Sequence, residues 1–316
     1  MRIGRWIRDG QKEDGFVEDA GVVPFPDGLL VADVLAAGPG GLADLLARAG
    51  DPVAPLDAVT LRAPLDPASV RDFVAFEEHV EGVSAGVEGR SHVADEWYEA
   101  PTFYFTNPHT IAGPGETITP PETHRLDFEL EVAAVIGGSG TNLTADEGHA
   151  AIFGYTIMND WSARDLQARE MKVRLGPCKG KDFAMTLGPW IVTADELAPF
   201  EDDEGFLAVR AEVFVGGERY GEDLVSNMGW PFAELVAYAS RASRVVPGDV
   251  LGSGTVGNGG CLGELWGRGS DLPPLAEGDE VRMVVEGIGE LVGSVGAPVA
   301  APPLPRARVR PRARRR

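Results

Sequence analysis

The segment LDFELEVAAVIG, from Leu126 to Gly137, constrains the fold more than any other part of the sequence. Its residues alternate between apolar and polar and become apolar after Glu131, which predicts a β-strand entering a core. Glu129 and Glu131 stand two residues apart, and side chains at that spacing share one face of a strand. Two like charges side by side in a half-buried strand destabilise it unless a positive group lies between them. The sequence therefore predicts a positive group beside this strand.

Short apolar segments between Gly and Pro turns continue through most of the chain. They are FYFTN, FELEVAAVIG, IFGYTIMND, PWIVTADEL, LAVRAEVFVGG, DVLGSGTVG and DEVRMVVEGIGELVGSV. Helical patterns are few, and WPFAELVAYASR is the clearest amphipathic helix. We therefore predict a β-rich α+β fold rather than the alternating βαβ array of a dinucleotide-binding domain.

The first 60 residues contain strand-like segments of their own, RIGRWIR and GFVEDAGVVPF, and a helical segment near LADLLARAG. Gly and Pro punctuate these segments closely. A chain of 316 residues, 44% of them hydrophobic, can bury the cores of one large and one small domain. We predict a small β-rich N-terminal domain at residues 1–60 and a larger domain at residues 61–300.

Composition excludes several classes of function. No run of about 18 apolar residues is present, which argues against a membrane span, and the charged N-terminus MRIGRWIRDGQKEDG lacks the apolar centre of a signal peptide. Two cysteines, Cys178 and Cys261, give no disulfide framework and suit a reducing cytosol, so we expect a cytoplasmic location. The net charge of −21 argues against nucleic acid as the main partner.

The C-terminal segment is strongly basic, whereas the rest of the chain is acidic. PRARVRPRARRR holds seven arginines and no aromatic residue. Such a run either tethers the protein to an anionic surface or forms a disordered tail that docks on the acidic body. We predict the second, with a disordered Arg-rich tail at residues 301–316.

A third carboxylate stands where a strand gives way to a helix, in IFGYTIMNDWSARDLQARE. Asp160 follows the strand directly, a place for a functional residue and equally for a helix N-cap. Glu129 and Glu131, for their part, could be strand residues in salt bridges. Three carboxylates on neighbouring strand ends, however, would form an oxygen-rich pocket suited to a hard divalent cation.

Several motifs together resemble the fumarylacetoacetate hydrolase family. They are DFELEVAAVIG, GYTIMNDWSARDLQ, GKDF followed by LGPWIVT, and PGDVLGSGTVG followed by GEL. The resemblance extends from about Val59 to Val295 in the family's order and spacing. It implies a mixed β-roll, sometimes preceded by a small N-terminal domain, and assembly as a homodimer.

The resemblance also implies that a divalent cation, Mg²⁺ or Ca²⁺ with Mn²⁺ as a further possibility, neutralises the strand pair. Glu129, Glu131 and Asp160 would be ligands of this cation. In RDFVAFEEHV, Asp72 precedes His79 by seven residues, as an aspartate ligand precedes the catalytic histidine in fumarylacetoacetase. Asp72 would then be the fourth ligand. Alone, the two residues would be interpreted as a helix-start aspartate and a surface histidine.

Further site residues follow from the same resemblance. His79 would be the general base, oriented by Glu264 in CLGELW, because a neutral imidazole suits proton transfer at pH 7. Positive and polar donors would stabilise an oxyanion, and two residues would bind the substrate. The donors are Arg164, Gln167 and Lys181, and the substrate-binding residues are Tyr104 and Thr255. Alone, the charged members of this set would be interpreted as surface residues.

Three functions remain open at this stage. The first is a metal-dependent hydrolase that cleaves a C–C bond in a β-diketoacid or acylpyruvate, and the His79–Glu264 pair favours it. The second is an isomerase, decarboxylase or hydratase of 2-hydroxy-dienoates, and the third is a non-catalytic binding protein. Met171 and Val74 stand where the family has tyrosines, which weakens recognition of a distal carboxylate and leaves the small-molecule substrate open.

Overall fold

A computed structural model describes residues 1–88 and 91–308 of the chain. The strands are β1 Arg2–Arg8, β2 Gln11–Glu18, β3 Gly21–Pro24, β4 Thr60–Arg62, β5 Ser69–Phe73, β6 Phe103–Thr106, β7 Ile111–Ala112, β8 Thr117–Ile118, β9 Leu126–Asp127, β10 Leu130–Ile136, β11 Ile152–Asp160, β12 Ser162–Ala163, β13 Met185–Thr193, β14 Arg210–Val215, β15 Glu218–Leu224, β16 Asp249–Gly252, β17 Glu280–Val285 and β18 Gly289–Val295. The helices are α1 Val31–Ala37, α2 Leu42–Arg48, α3 Glu77–Glu88, α4 Ala145–Ala151, α5 Arg164–Met171, α6 Ala194–Leu197, α7 Phe232–Ala239 and α8 Leu262–Gly267.

Strands dominate, as the sequence predicted, and within residues 1–88 and 91–308 they form three sheets. The largest follows the order β3-β2-β1-β13-β11-β10-β16-β5-β6, with β4 also paired to β1 and β7 to β13. A second sheet follows the order β15-β14-β17-β18-β8, and β12 pairs with β9 alone. The predicted amphipathic helix is α7, which turns Phe232, Leu235 and Val236 into the main core. The predicted β-rich α+β fold is confirmed.

The N-terminal segment is joined to the rest of the molecule through the largest sheet. Strand β1 pairs antiparallel with β13, with Arg2 opposite Val192 and Ile3 opposite Ile191. Ile3 belongs to the same apolar cluster as Val135 of β10. These contacts make the N-terminal strands an extension of the large sheet. They do not test whether residues 1–60 fold as a separate domain, so the division at residue 60 stays a prediction.

The strand that the sequence predicted for both glutamates is interrupted in the structure, and only Glu131 lies in a strand. The predicted strand from Leu126 is divided into β9 and β10, with Phe128 and Glu129 between them. The division has a local cause, because the backbone N–H of Glu129 donates to the side-chain Oδ1 of Asn159, at 3.1 Å, instead of to a backbone carbonyl. Every residue of β10 is buried, so this strand carries its polar side chain into the interior.

Strand pairing around β10 brings distant polar residues to one place. In antiparallel pairs, Leu130 stands opposite Asn159 of β11 and Ala133 opposite Gly252 of β16. Strand β16 pairs in parallel with β5, so Gly252 also stands opposite Asp72. The C-terminal ends of β5, β11 and β16 therefore meet the N-terminal end of β10, and the site lies there.

The C-terminal segment that the structure describes, residues 301–308, is exposed and has no helix or strand. The remainder of the predicted tail, residues 309–316, lies outside the described residues. Within the described part of the chain, no helix combines the length and the apolar character that crossing a membrane requires.

Candidate metal centre and active site

Four buried carboxylates meet where the strand ends converge. Asp72, Glu129, Glu131 and Asp160 each offer a carboxylate oxygen, and these oxygens all lie within 4.8 Å of one another. None of the four residues is more than 4% exposed. The structure thus brings together all four residues that the sequence proposed as metal ligands, and it places Asp72 in a strand rather than at a helix start.

A glycine makes this convergence possible. A Cβ atom at Gly252 would lie 2.7 Å from Oε2 of Glu131 and 2.9 Å from Oδ1 of Asp72. Real Cβ atoms do not approach other atoms so closely, because the van der Waals contact distance is greater. The missing side chain at residue 252 therefore provides the space in which the carboxylates of β5 and β10 meet.

Two cations neutralise one side of the cluster. Nζ of Lys181 contacts Glu129 and lies 2.6 Å from Oδ2 of Asp160, while Nη2 of Arg164 lies 2.7 Å from Oε1 of Glu129. Burial raises the pKa of Glu129, but the charges of Lys181 and Arg164 outweigh burial and hold it well below its usual range. Burial lowers the pKa of Lys181, and Asp160 and Glu129 more than reverse this, so that it is raised. The positive group that the strand pattern predicted is therefore, in part, the ammonium group of the buried Lys181.

The other side of the cluster is not neutralised by the protein. Burial, followed by repulsion from Asp160, raises the pKa of Asp72 well above its usual range, and burial with repulsion from Asp72 does the same for Glu131. Three buried oxygens have no hydrogen-bond partner among the described residues: Oδ1 of Asp72, Oε1 of Glu131 and Oδ1 of Asp160. Unpartnered anionic oxygens in the interior are costly. An all-oxygen, anionic donor set of this kind fits a hard divalent cation.

His79 lies beside this cluster on α3 and is 7% exposed. Burial lowers the pKa of His79 to about 4, with Arg164 and Lys181 acting in the same direction and Glu129 against it. The imidazole is therefore neutral at pH 7, the protonation state that a general base requires. Its Nδ1 lies 3.6 Å from Sγ of Cys261.

The predicted pairing of His79 with Glu264 requires correction. Glu264 is completely buried on α8, but its Oε1 accepts the backbone N–H of Gly259 at 3.1 Å and lies 3.0 Å from Nη2 of Arg268. Within residues 1–88 and 91–308, no hydrogen bond joins Glu264 to His79. Arg268, one helical turn later, holds the glutamate, and Cys261 is the nearer partner of the imidazole. Burial raises the pKa of Glu264 to about 7, although Arg268 lowers it.

The remaining predicted residues are arranged around the cluster. Oε1 of Gln167 accepts a hydrogen bond from Nη1 of Arg164 at 3.1 Å, so the two lie together on α5 as predicted. The hydroxyl of Tyr104 donates to Oδ2 of Asp160. Thr255 is buried in the loop after β16, and its hydroxyl makes no hydrogen bond to the described residues. Thr255, like Glu264, therefore has no hydrogen bond to another predicted site residue within the described part of the chain.

Asp127 is a structural element of the site that sequence reasoning missed. Its carboxylate accepts a hydrogen bond from Nε of Arg164 at 2.7 Å. It also accepts hydrogen bonds from the backbone N–H groups of Leu262 and Gly263, at 2.7 and 2.8 Å. It thereby fixes the start of α8 and orients the guanidinium towards Glu129. The sequence did contain a signal for this residue, because Asp127 continues the two-residue spacing of Glu129 and Glu131.

Cys261 is the second missed residue. It is fully buried, and its Sγ accepts the backbone N–H of Glu264 at 3.3 Å as the N-cap of α8. Nothing in its spacing from His79, 182 positions away, indicated their proximity.

A cavity of about 290 Å³ lies beside the first turn of α3 and has an aromatic and acidic lining. Its walls include Glu77, Glu78, Trp97 and Trp230, and none of the predicted site residues lines it. The polar cluster, rather than this cavity, therefore locates the candidate active site.

Taken together, the fold and the cluster define a class of protein: a strand-rich enzyme domain with a buried carboxylate centre beside a neutral histidine. The sequence pattern of the fumarylacetoacetate (FAA) hydrolase C-terminal domain matches residues 68–296. The chain belongs to the fumarylacetoacetate hydrolase family, a family of enzymes, and the fold expected from the resemblance is confirmed.

Relatives within this family have different reactions. The chain is 30% identical over 308 residues to fumarylacetoacetase of Arabidopsis thaliana, covering 78% of this chain and 73% of the relative. It is also 30% identical over 222 residues to oxaloacetate tautomerase YisK of Bacillus subtilis, covering 68% and 69%. The crystal structure of 5-carboxymethyl-2-hydroxymuconate delta-isomerase from Mycobacterium smegmatis superimposes with a TM-score of 0.69 at 26% identity, covering 94% of this chain and 100% of that one.

Proposed function

We propose that the protein is a metal-dependent hydrolase that cleaves a C–C bond in a β-diketoacid or acylpyruvate resembling fumarylacetoacetate. The observation that carries this proposal is the meeting of four buried carboxylates, with three unpartnered oxygens, beside Lys181, Arg164 and a neutral His79. Asp72, Glu129, Glu131 and Asp160 would hold the cation, Mg²⁺ or Ca²⁺ and less readily Mn²⁺. Such a cation polarises carbonyl oxygens and offsets the negative charge of an enolate.

The protein's own donors would stabilise and orient the substrate. Lys181 and Arg164 are fixed by buried carboxylates, so their positive charge is in place before the substrate arrives. Gln167 holds Arg164 through its oxygen, which leaves its amide nitrogen to donate to a substrate oxygen. Tyr104 and Thr255 would contact the substrate.

His79 would take a proton from the attacking water. When Nδ1 carries the ring hydrogen and points it at Sγ of Cys261, Nε2 has the lone pair that accepts this proton. Since the imidazole is neutral at pH 7, no prior deprotonation is required.

A second candidate is an isomerase, decarboxylase or hydratase of 2-hydroxy-dienoates, or a tautomerase of a related ketoacid. Two observations favour it: the pair of His79 and Glu264 is not formed among the described residues, and the pKa of about 4 makes His79 a weak base. Tautomerisation requires enolate stabilisation but no water-activating pair. The tautomerase and isomerase relatives give this candidate equal support.

One experiment separates the two candidates. A panel of acylpyruvates, β-diketoacids and enolisable ketoacids is assayed with Mg²⁺, Mn²⁺ and Ca²⁺, for C–C cleavage and for keto–enol conversion separately. If the hydrolase proposal holds, His79→Ala lowers kcat for cleavage by about 10²–10⁴, the usual contribution of a general base. His149→Ala is the matched control, because His149 is exposed and pairs with Glu201. Near wild-type cleavage by His79→Ala would reject the hydrolase mechanism, and exclusive keto–enol conversion would select the second candidate.

The assembly and the location belong to the same proposal. We infer a cytoplasmic homodimer that acts on a small molecule, without nucleic acid or a membrane as partner. The net charge of −21 supports a weak affinity for polyanions. Sedimentation of the purified protein at several concentrations tests the dimer.

A further inference from the structure

A second cluster of possible metal ligands lies next to the carboxylate centre. Nδ1 or Nε2 of His79, a carboxylate oxygen of Glu129 and Sγ of Cys261 lie within 4.8 Å of one another. The exposed fractions of the three residues are 7%, 4% and 0%. In the reaction proposed above, the thiol of Cys261 takes no chemical part; it contacts Nδ1 of His79 and caps α8.

The donor types of the two clusters differ. The carboxylate centre offers oxygen alone, which suits hard cations, whereas the second cluster offers nitrogen, sulfur and oxygen. Imidazole and thiolate together select thiophilic cations such as Zn²⁺ and Cd²⁺ over Mg²⁺ and Ca²⁺. The carboxylate centre would therefore bind hard cations and the second cluster thiophilic ones, although the two sites share Glu129.

The geometry of the second cluster agrees with this donor set. In a tetrahedral zinc site the bonds are about 2.0–2.1 Å to nitrogen and about 2.3 Å to sulfur, which places these two ligand atoms about 3.6 Å apart. Nδ1 of His79 and Sγ of Cys261 are 3.6 Å apart in the structure. Their helices pack tightly, because Gly82 of α3 lies against Glu264 of α8, where a Cβ would stand 2.3 Å from Cγ. The spacing is therefore set by two close-packed helices.

The local charge also allows a second cation. Asp127 and the four carboxylates of the metal centre face two cations, Lys181 and Arg164. With every carboxylate ionised, one divalent cation in the carboxylate centre leaves a single negative charge in excess. A thiolate at Cys261 adds another, and a second divalent cation would offset both.

We propose that His79, Cys261 and Glu129 form an inhibitory site for a thiophilic divalent cation such as Zn²⁺ or Cd²⁺. On binding, the thiol of Cys261 releases its proton to solvent and a metal–sulfur bond forms, without electron transfer. The bound cation occupies the imidazole of His79 and an oxygen of Glu129. Binding itself is independent of the proposed function, whereas inhibition rests on it, because it requires His79 to act in the reaction.

The two cysteines of the chain allow a direct spectroscopic test. Cys178 is exposed and Cys261 is buried, so the variant Cys178→Ser retains the second cluster as the one source of thiolate. This variant is saturated with Mg²⁺ and titrated with CdCl₂, and the ultraviolet sulfur-to-cadmium charge-transfer absorption is recorded. The expected result is a band that saturates at one Cd²⁺ per chain and that is lost in Cys178→Ser/Cys261→Ser. Absence of the band in folded Cys178→Ser overturns the proposal, whether or not the double variant folds.

A second measurement links the site to inhibition. In the presence of saturating Mg²⁺, Zn²⁺ is expected to lower the turnover of Cys178→Ser at least tenfold, and to have less effect on the double variant measured against its own activity without zinc. Equal inhibition of the two variants would place the inhibitory zinc in the carboxylate centre and overturn the inhibitory role. A cadmium band without any loss of turnover would support the binding site and reject the role of His79 in the reaction. Failure of the binding site and failure of the proposed function therefore give different results.

Discussion

Glu129 and Glu131 are two residues apart and reach the same cluster, yet their carboxyl groups have opposite pKa shifts. Lys181 and Arg164 both contact Glu129 and lower its pKa, whereas Glu131 faces Asp72 and its pKa is raised. Neighbouring carboxyl groups whose environments separate their pKa values are a common feature of active sites. Glu129 is thus the permanently charged member, and Glu131 is the member whose ionisation depends on a cation.

This difference predicts the behaviour of Glu131→Gln. The substitution keeps the volume and replaces a carboxyl group whose raised pKa keeps it protonated without a cation by a neutral amide, so in EDTA the variant should melt no lower than the wild type. At a hundredfold excess of Mg²⁺ over Kd, the wild type should gain about 2.7 kcal/mol of unfolding free energy, and the variant should gain little and have no metal-dependent turnover. Melting curves with EDTA and with Mg²⁺ measure both effects.

Glu212→Gln is the control for this substitution, because Glu212 is a partly exposed carboxylate that pairs with Arg219 away from the cluster. It should retain the full Mg²⁺-dependent gain. A Glu131→Gln variant that gains as much as the wild type would contradict the ligand assignment.

Glu264 predicts a pH dependence of stability. Burial raises its pKa from the ordinary 4.5 to about 7, so between these values the native state binds the proton and the unfolded chain does not. The free energy of unfolding from this group therefore falls as the pH rises from 4.5 to 7. Glu264→Gln should remove this contribution, so the stability of the wild type relative to the variant should be greater at pH 5 than at pH 7.5. Urea unfolding in EDTA at the two pH values measures the difference, and parallel profiles would refute the shift.

At the level of single residues, the sequence was informative where spacing carries the signal. The two-residue spacing and the strand end pointed to a pocket formed by Glu129, Glu131 and Asp160, which do meet in the cluster, whereas their role as ligands followed from the family resemblance. The partner of His79 was not accessible in this way, because Cys261 is the N-cap of the short helix α8 and Glu264 lies three residues later in its first turn. Which of them meets the imidazole depends on how α3 and α8 pack, and local sequence does not determine that.

At the scale of elements, the contact between α3 and α8 positions the histidine. Gly82 is buried one turn after His79, and its Cα lies against the Glu264 side chain. The carboxylate of Asp127 fixes the first N–H groups of α8. The two helices are short, so tertiary contacts of this kind, rather than helix propensity, hold them.

Gly82→Ala tests this packing. The new Cβ would lie 2.3 Å from Cγ of Glu264, so one helix must move. Overpacking should cost about 1–3 kcal/mol, partly offset by the higher helix propensity of Ala, about 1 kcal/mol. A shift of His79 by about 1 Å can cost on the order of 10² in kcat. Glu81→Ala, at an exposed position of the same helix, is the control for both stability and turnover. Wild-type turnover in Gly82→Ala would show that the contact does not position His79.

At the scale of the whole molecule, the sheet crosses the division that the sequence suggested at residue 60. The motif pattern indicated correctly that strands precede the family-like region, and β1, β2 and α2 lie where they were expected. Pairing between β1 and β13 is a long-range contact, and no local pattern in either strand specifies its partner. The sequence therefore predicted the elements of the N-terminal segment better than their attachment.

The shared sheet predicts one cooperative unfolding transition for the whole chain. Apolar residues of the first 60 positions pack with those of β10 and β13, among them Ile3, Phe16, Val135 and Ile191. Calorimetry should give a single endotherm, and circular dichroism and tryptophan fluorescence should give coincident melting curves. Removal of residues 1–60 should expose an edge of β13 and cause aggregation. Two separate transitions would instead support an independent N-terminal domain.

The parallel pairing of β5 with β16 has a consequence for the order of assembly. Ser69 and Asp249, which are hydrogen-bonded at 2.7 Å beside this pairing, are 180 positions apart. Contacts between such distant segments require a large loop to close before they contribute stability, so they form late. Asp72 can join the other carboxylates only after β16 has been synthesised and has paired. A cation that binds the completed cluster should therefore slow unfolding and leave the rate of folding almost unchanged.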